Sequence, residues 1–222
     1  MRFITNSNRY ALTIGLTGVL ILISILFFMA INFDVFTQRA LDRAFAENGL
    51  AETIQNITLL ISAVCFFVFA KKVDQAHKPV LYFLSALSIL LFSREFALEL
   101  SDTSQDQAAV LDTLKSVFRV VIILALVVCL FKILKSWNVF KGSFKLYLMS
   151  ASALACYSAL AFILSAWPFD RIKGLVANPT YFEEFLEVNG YLMWCLCSCI
   201  LHRDINSISS LKWSSFREAG QK

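Results

Sequence analysis

Residues 10–33 read YALTIGLTGVLILISILFFMAINF, an uninterrupted run without one charged side chain. A helix rises about 1.5 Å per residue, so a run of this length crosses the roughly 30 Å hydrocarbon core of a bilayer. It is much longer than the apolar stretch of a secretory signal, about 7–15 residues, and no small-x-small cleavage pattern follows it cleanly. It therefore reads as a retained first span.

The rest of the chain repeats the pattern. Of its 222 residues, 58% are hydrophobic and 16% charged, where soluble domains carry roughly 25% charge. The mean hydropathy is +0.68. The apolar residues fall into blocks near 10–33, 52–70, 80–100, 114–134, 146–166 and 181–201. Each meets or nearly meets the length of a transmembrane helix, about 20 residues. The expectation is an all-α polytopic membrane protein: a six-helix bundle with short loops, forming a single integral membrane domain over residues 1–222.

Charge gives this bundle a direction. Arg2 and Arg9, Lys71, Lys72 and Lys78, Lys132, Lys135, Lys141 and Lys145, and Arg203, Lys212, Arg217 and Lys222 share one side of a six-span topology. Basic loops stay cytoplasmic, so both termini are expected inside a plasma membrane or bacterial inner membrane. The basic rim suits anionic membrane lipid rather than nucleic acid. Among the acids only Asp74, Asp204 and Glu218 fall on that side.

The other acids gather at the outer ends of the spans. Glu95 and Glu99 follow Arg94 at the end of the third block, Glu184 and Glu187 open the sixth, and Glu52 opens the second. The run Tyr191–Leu201 is about half a crossing, so the sixth helix must carry Glu187 and Glu184 into the membrane. Val80–Phe92 needs Arg94 and Glu95 in the same way. Ionisable groups at that depth are costly and mark pairing or function.

Helix direction separates these acids. Glu95 and Glu99 lie at a C-terminal, negative helix end, and Lys115 and Arg119 at an N-terminal, positive one. Each is disfavoured by roughly 0.3–1 kcal/mol. An Arg119 ion pair with Glu95 or Glu99 resolves both, and Arg94 is left for an acid on another helix. Glu52, Glu184 and Glu187 begin their helices, where negative charge is favoured. Glu52, Gln55 and Asn56 share one face, as do Glu184, Glu187 and Tyr191. Gly190 beside them permits close approach of another helix.

Glu52, Glu95, Glu184, Glu187, Gln55, Asn56, Arg94 and Arg119 are thus the candidate residues for binding a ligand or proton. No cofactor motif is evident. A divalent cation is the inorganic ligand such oxygens would take, with Glu52, Glu184 and Glu187 as candidate ligands. Closely placed acids also suit proton transfer. Complete structural pairing explains the same cluster without a ligand.

Other chemistry finds little support. The only histidines, His77 and His202, fall on the basic side. A histidine-based outer zinc site and an outer Ser-His-Asp triad are therefore excluded. No Walker or GxGxxG pattern occurs. Ser93 reads as a helical serine bonded to its own backbone. Cys65, Cys129, Cys156, Cys195, Cys197 and Cys199 all lie inside spans, where thiols act as small apolar residues.

Flanking elements complete the expectation. Val35, Phe36, Ala40, Leu41, Ala44 and Phe45 alternate with Arg39, Asp42, Arg43 and Glu47 as a surface amphipathic helix. Asn48-Gly49 ends it. Trp167-Pro168 and Asn178-Pro179 read as breaks, and Thr180 with Glu183 as a capping box.

Three function classes follow. The first binds or moves a cation, proton or polar lipid headgroup. The second is a structural or assembly subunit, with a membrane-protein partner or a homo-oligomer. The third is a membrane-embedded enzyme acting on a lipid-linked substrate.

Overall fold

The computed structural model describes residues 7–33, 35–45, 49–95, 105–141, 144–171 and 179–219. All regular structure among them is helical. In chain order the helices are α1 (Ser7–Asn32), α2 (Gln38–Phe45), α3 (Leu50–Phe69), α4 (Lys78–Glu95), α5 (Gln105–Lys135), α6 (Trp137–Lys141), α7 (Phe144–Leu148), α8 (Ala151–Arg171) and α9 (Pro179–Ala219). A single 3-10 turn, Ala70–Lys72, leads from α3 towards α4.

Five segments hold a helix long and apolar enough to cross a membrane: Asn8–Asn32, Gln38–Lys72 (through its helix α3), Thr113–Lys135, Ala151–Phe169 and Pro179–Ser210. The expected class, an all-α membrane bundle, is therefore the observed one. The block at 80–100 falls short of that standard. Its helix α4 has 18 residues, about 27 Å, with Lys78, Arg94 and Glu95 among them. The remainder of that block lies outside the described residues.

The hub is α9, which packs on α8, α3, α1, α2 and α7. It buries 56% of its span, whereas α5 buries 6% and touches chiefly α4. The main core joins Leu59 and Phe66 of α3, Ala151, Ala155 and Ala159 of α8, and Tyr191, Met193 and Trp194 of α9. Small residues make the α8–α9 contact close. A Cβ on Gly190 would stand 2.6 Å from Ile163 Cγ1 and 3.1 Å from the Ala159 carbonyl oxygen, so this glycine serves the close approach expected of it.

Several boundaries differ from expectation. The block at 146–166 does not begin a span: Phe144–Leu148 is a separate short helix, and α8 starts at Ala151. Pro168 does not break α8, which continues through it to Arg171. A membrane helix tolerates proline where local adjustment re-satisfies the freed carbonyl. Helix α9 opens on Pro179, so Thr180 is inside it and does not precede it as a cap. Proline suits a first helical position because its missing N–H would be unsatisfied there anyway.

The alternation between 35 and 47 does yield a helix, α2, which packs against α3 and α9. Gly49 stands just before α3, in extended conformation. Residues 46–48, 96–104 and 172–178 lie outside the described residues, and with them Glu47, Asn48 and Glu99.

Candidate functional site

The starts of α3 and α9 and the end of α4 meet at one end of the bundle. Gln55, in the second turn of α3, is completely buried. Its Nε2 donates to Glu184 Oε2 on α9 at 2.8 Å and lies 3.4 Å from the Glu184 carbonyl oxygen. The Oε1 of the same amide is buried without a hydrogen-bond partner, and so is Asn56 Oδ1 beside it. Both orphan atoms are oxygens, on the face that Glu52 opens.

One turn further along α9, Glu187 accepts from Arg94 Nη2 at 3.2 Å. The same guanidinium nitrogen donates to the Tyr191 hydroxyl at 3.4 Å. The Arg94 side chain is 57% exposed and that of Glu187 13%, which places this pair at the rim. It is the contact with an acid on another helix expected of Arg94. Below it, Trp194 Nε1 donates to Ser88 Oγ of α4 at 2.8 Å, in the buried core.

The charges that oppose their own helix dipoles fare differently. Arg119 of α5 donates to the Ser93 carbonyl oxygen of α4 at 2.9 Å. A guanidinium at a helix C-terminus also complements the negative end of the macrodipole. Glu95 closes α4, but its side chain and Glu99 lie outside the described residues, and the expected Arg119 ion pair with them. Ser93 donates to the Leu90 carbonyl at 2.7 Å, as a helical serine should.

A roof covers this end. The Tyr181 hydroxyl of α9 donates to Asp42 of α2, and Gln38 Nε2 donates to the same hydroxyl at 2.8 Å. Phe27 of α1 stacks on Phe185 at 4.2 Å and also meets Phe45 of α2.

The opposite end holds polar structure that the sequence did not single out. Asp204 of α9 is 2% exposed, and Arg9 Nη1 donates to it at 2.7 Å. The other oxygen of Asp204 accepts the backbone N–H of Ser152 at 2.9 Å. This carboxylate therefore caps α8 from a neighbouring helix and neutralises Arg9 of α1 at once. Nearby, His77 is buried between Asp74, which meets its Nδ1, and Tyr147, whose hydroxyl lies 2.5 Å from its Nε2. Burial, and then the Asp74 carboxylate, pushes the Tyr147 phenol up to about 12, while Ser209 pulls it the other way. The Asp74–His77 spacing of three was a visible signal for this contact. Nothing local pointed from Asp204 to Arg9.

The six cysteines are free. Among the described residues, no three histidine, cysteine or acidic side chains gather as metal ligands. A cation at the first end would have to use amide oxygens beside carboxylate. No family model matches the chain, and no curated protein or solved structure matches it either.

Proposed function

We propose that this integral membrane protein binds a small cation, a metal ion or a proton, at the end of the bundle formed by α3, α4 and α9. Glu184 is the principal carboxylate, with Glu52 on the facing helix. Gln55 and Asn56 supply neutral oxygens, and Arg94 sets the position of Glu187. Glu95 and Arg119 stand at the edge of the same region and tune its charge.

One observation carries this reading. Gln55 Oε1 and Asn56 Oδ1 are buried without partners, next to a carboxylate already fixed by the Gln55 amide. A buried acceptor left unsatisfied costs about 1–3 kcal/mol. Structural pairing alone offers no return for two such oxygens on adjacent residues. A cation or protonated group bound beside Glu184 would give the Gln55 oxygen the partner it lacks. The basic loops argue that this end faces away from the cytoplasm, in a plasma membrane or bacterial inner membrane with both termini inside.

The test is calorimetric titration of the purified full chain in detergent with Ca²⁺, Mg²⁺, Mn²⁺ and acid. Glu184→Gln and Glu52→Gln are expected to weaken uptake of the effective cation at least tenfold, with the fold intact. Uptake by the wild type that both variants leave unchanged would sink the assignment.

A further inference from the structure

Helix α1 is held to the bundle at few points, and its span is only 17% buried. The Thr17 hydroxyl pairs with Ser158 of α8 at 3.1 Å. Ser24 accepts from Asn189 Nδ2 of α9 at 3.0 Å. The Phe28 ring meets Phe182 of α9 edge-on at 5.2 Å. Between the first and last of these contacts lies a cavity of about 540 Å³, lined by α1, α8 and α9. Its floor, with Ser24, Ser158, Phe162, Phe182 and Leu186, is buried. Its lips, Ile21, Ile25, Tyr157, Ala161 and Ser165, are exposed, so the cavity is a groove open along its side.

Three properties of the groove decide its occupant. The first is its medium. It runs from near the middle of the Asn8–Asn32 span towards the Asn32 end, where a membrane helix is surrounded by hydrocarbon and not by water. The second is its chemistry. Thr17 donates to the Thr13 carbonyl and so takes the Ser158 proton; Ser24 donates to Leu20, Ser165 to Ala161 and Tyr157 to Leu148. With every hydroxyl proton of the lining already placed, the wall is apolar in effect and calls for no polar ligand. The third is its size. From Thr17 to Phe28 is about 16 Å of helix, which matches one leaflet, half of the roughly 30 Å hydrocarbon core. Spread over that length, the cavity is about 33 Å² in section. A helix with its side chains, roughly 10–12 Å across, needs about 80–110 Å². A partner helix does not fit, and a single hydrocarbon chain does.

We propose that the groove between α1 and α8 holds one acyl chain of a membrane phospholipid, taken from the leaflet at the Glu184 end and retained as part of the bundle. An empty groove would leave its floor without dispersion contacts, and a chain restores them. The open lips admit the chain sideways from the bilayer, and Phe182 places its headgroup end near the start of α9. The proposal is independent of the cation site.

Photolabelling tests it. The full chain is reconstituted in phosphatidylcholine liposomes containing a trace of phosphatidylcholine with a diazirine midway along one acyl chain. After irradiation and digestion, mass spectrometry should find adducts on residues 21–28 and 157–165 at least fivefold above those on residues 117–131 of α5, whose span is 6% buried and so reports bulk lipid. Ala161→Phe, which puts a ring into the groove, and Ser165→Leu at its lip should each lower the groove adducts to the α5 level, with α5 labelling and circular dichroism unchanged. Wild-type groove labelling no higher than that of α5 overturns the proposal by itself, as does a folded variant labelled like wild type. Groove labelling below that of α5, with a dimer in native mass spectrometry, also overturns it and gives the groove to a second copy of the chain.

Discussion

Two carboxylates illustrate how differently an acid can be used in this chain. Glu187 pairs with Arg94 at a rim where the guanidinium is more than half exposed. Exposed ion pairs contribute about 0–1 kcal/mol, so Glu187→Gln should cost under about 1 kcal/mol. Asp204 is buried, pairs with Arg9 at 2.7 Å, and also accepts the Ser152 N–H. Removing one partner of a buried pair leaves the other uncompensated and costs about 3–5 kcal/mol. Asp204→Ala should therefore destabilise the protein by about 3 kcal/mol in reversible denaturant unfolding, since Arg9 keeps some solvent access. Equal losses in the two variants would contradict this division. The sequence located Glu187 and Arg94 through the short apolar runs that flank them. It passed over Asp204, because an acid beside Arg203 after a span looks like an ordinary loop residue, and its partner Arg9 lies on another helix.

Helices were legible where an apolar block is long, and boundaries were not. Hydrophobic patterning responds to lipid contact, whereas helix ends are set by backbone satisfaction. Thus α9 continues to Ala219, well past the apolar run that ends at Leu201. Conversely, the block at 146–166 mixes the short helix α7 with α8, because both are apolar; what marks the start of α8 is polar capping, by Ser150 Oγ on the Ala153 N–H and by Asp204 on the Ser152 N–H. Gly190 was readable as a close-approach residue, and the structure supplies its neighbour. Gly190→Ala places a methyl 2.6 Å from Ile163 Cγ1, and overpacking of this kind costs typically 1–3 kcal/mol. The expected outcome is a lower unfolding midpoint for Gly190→Ala and partial recovery in Gly190→Ala combined with Ile163→Ala. A double variant less stable than the sum of the single effects would argue against the steric cause.

At the scale of the molecule, one end is built from locked polar contacts and the other keeps buried oxygens without partners. Asp204, Arg9, His77, Asp74 and Tyr147 make the first end a clasp. Glu184 and Gln55 lie at the second, beneath a roof that Tyr181 attaches to α2. The membrane class and the location of this second end were readable from composition and from charges inside apolar blocks. The central claim is that Glu184 takes up a cation or proton at that end. Infrared difference spectroscopy of the full chain in lipid, recorded on adding acid or the cation found by titration, tests it most directly. The account predicts a carboxylate stretching band that changes on addition and is missing from the difference spectrum of Glu184→Gln. Identical difference spectra for wild type and Glu184→Gln, both folded, would contradict it.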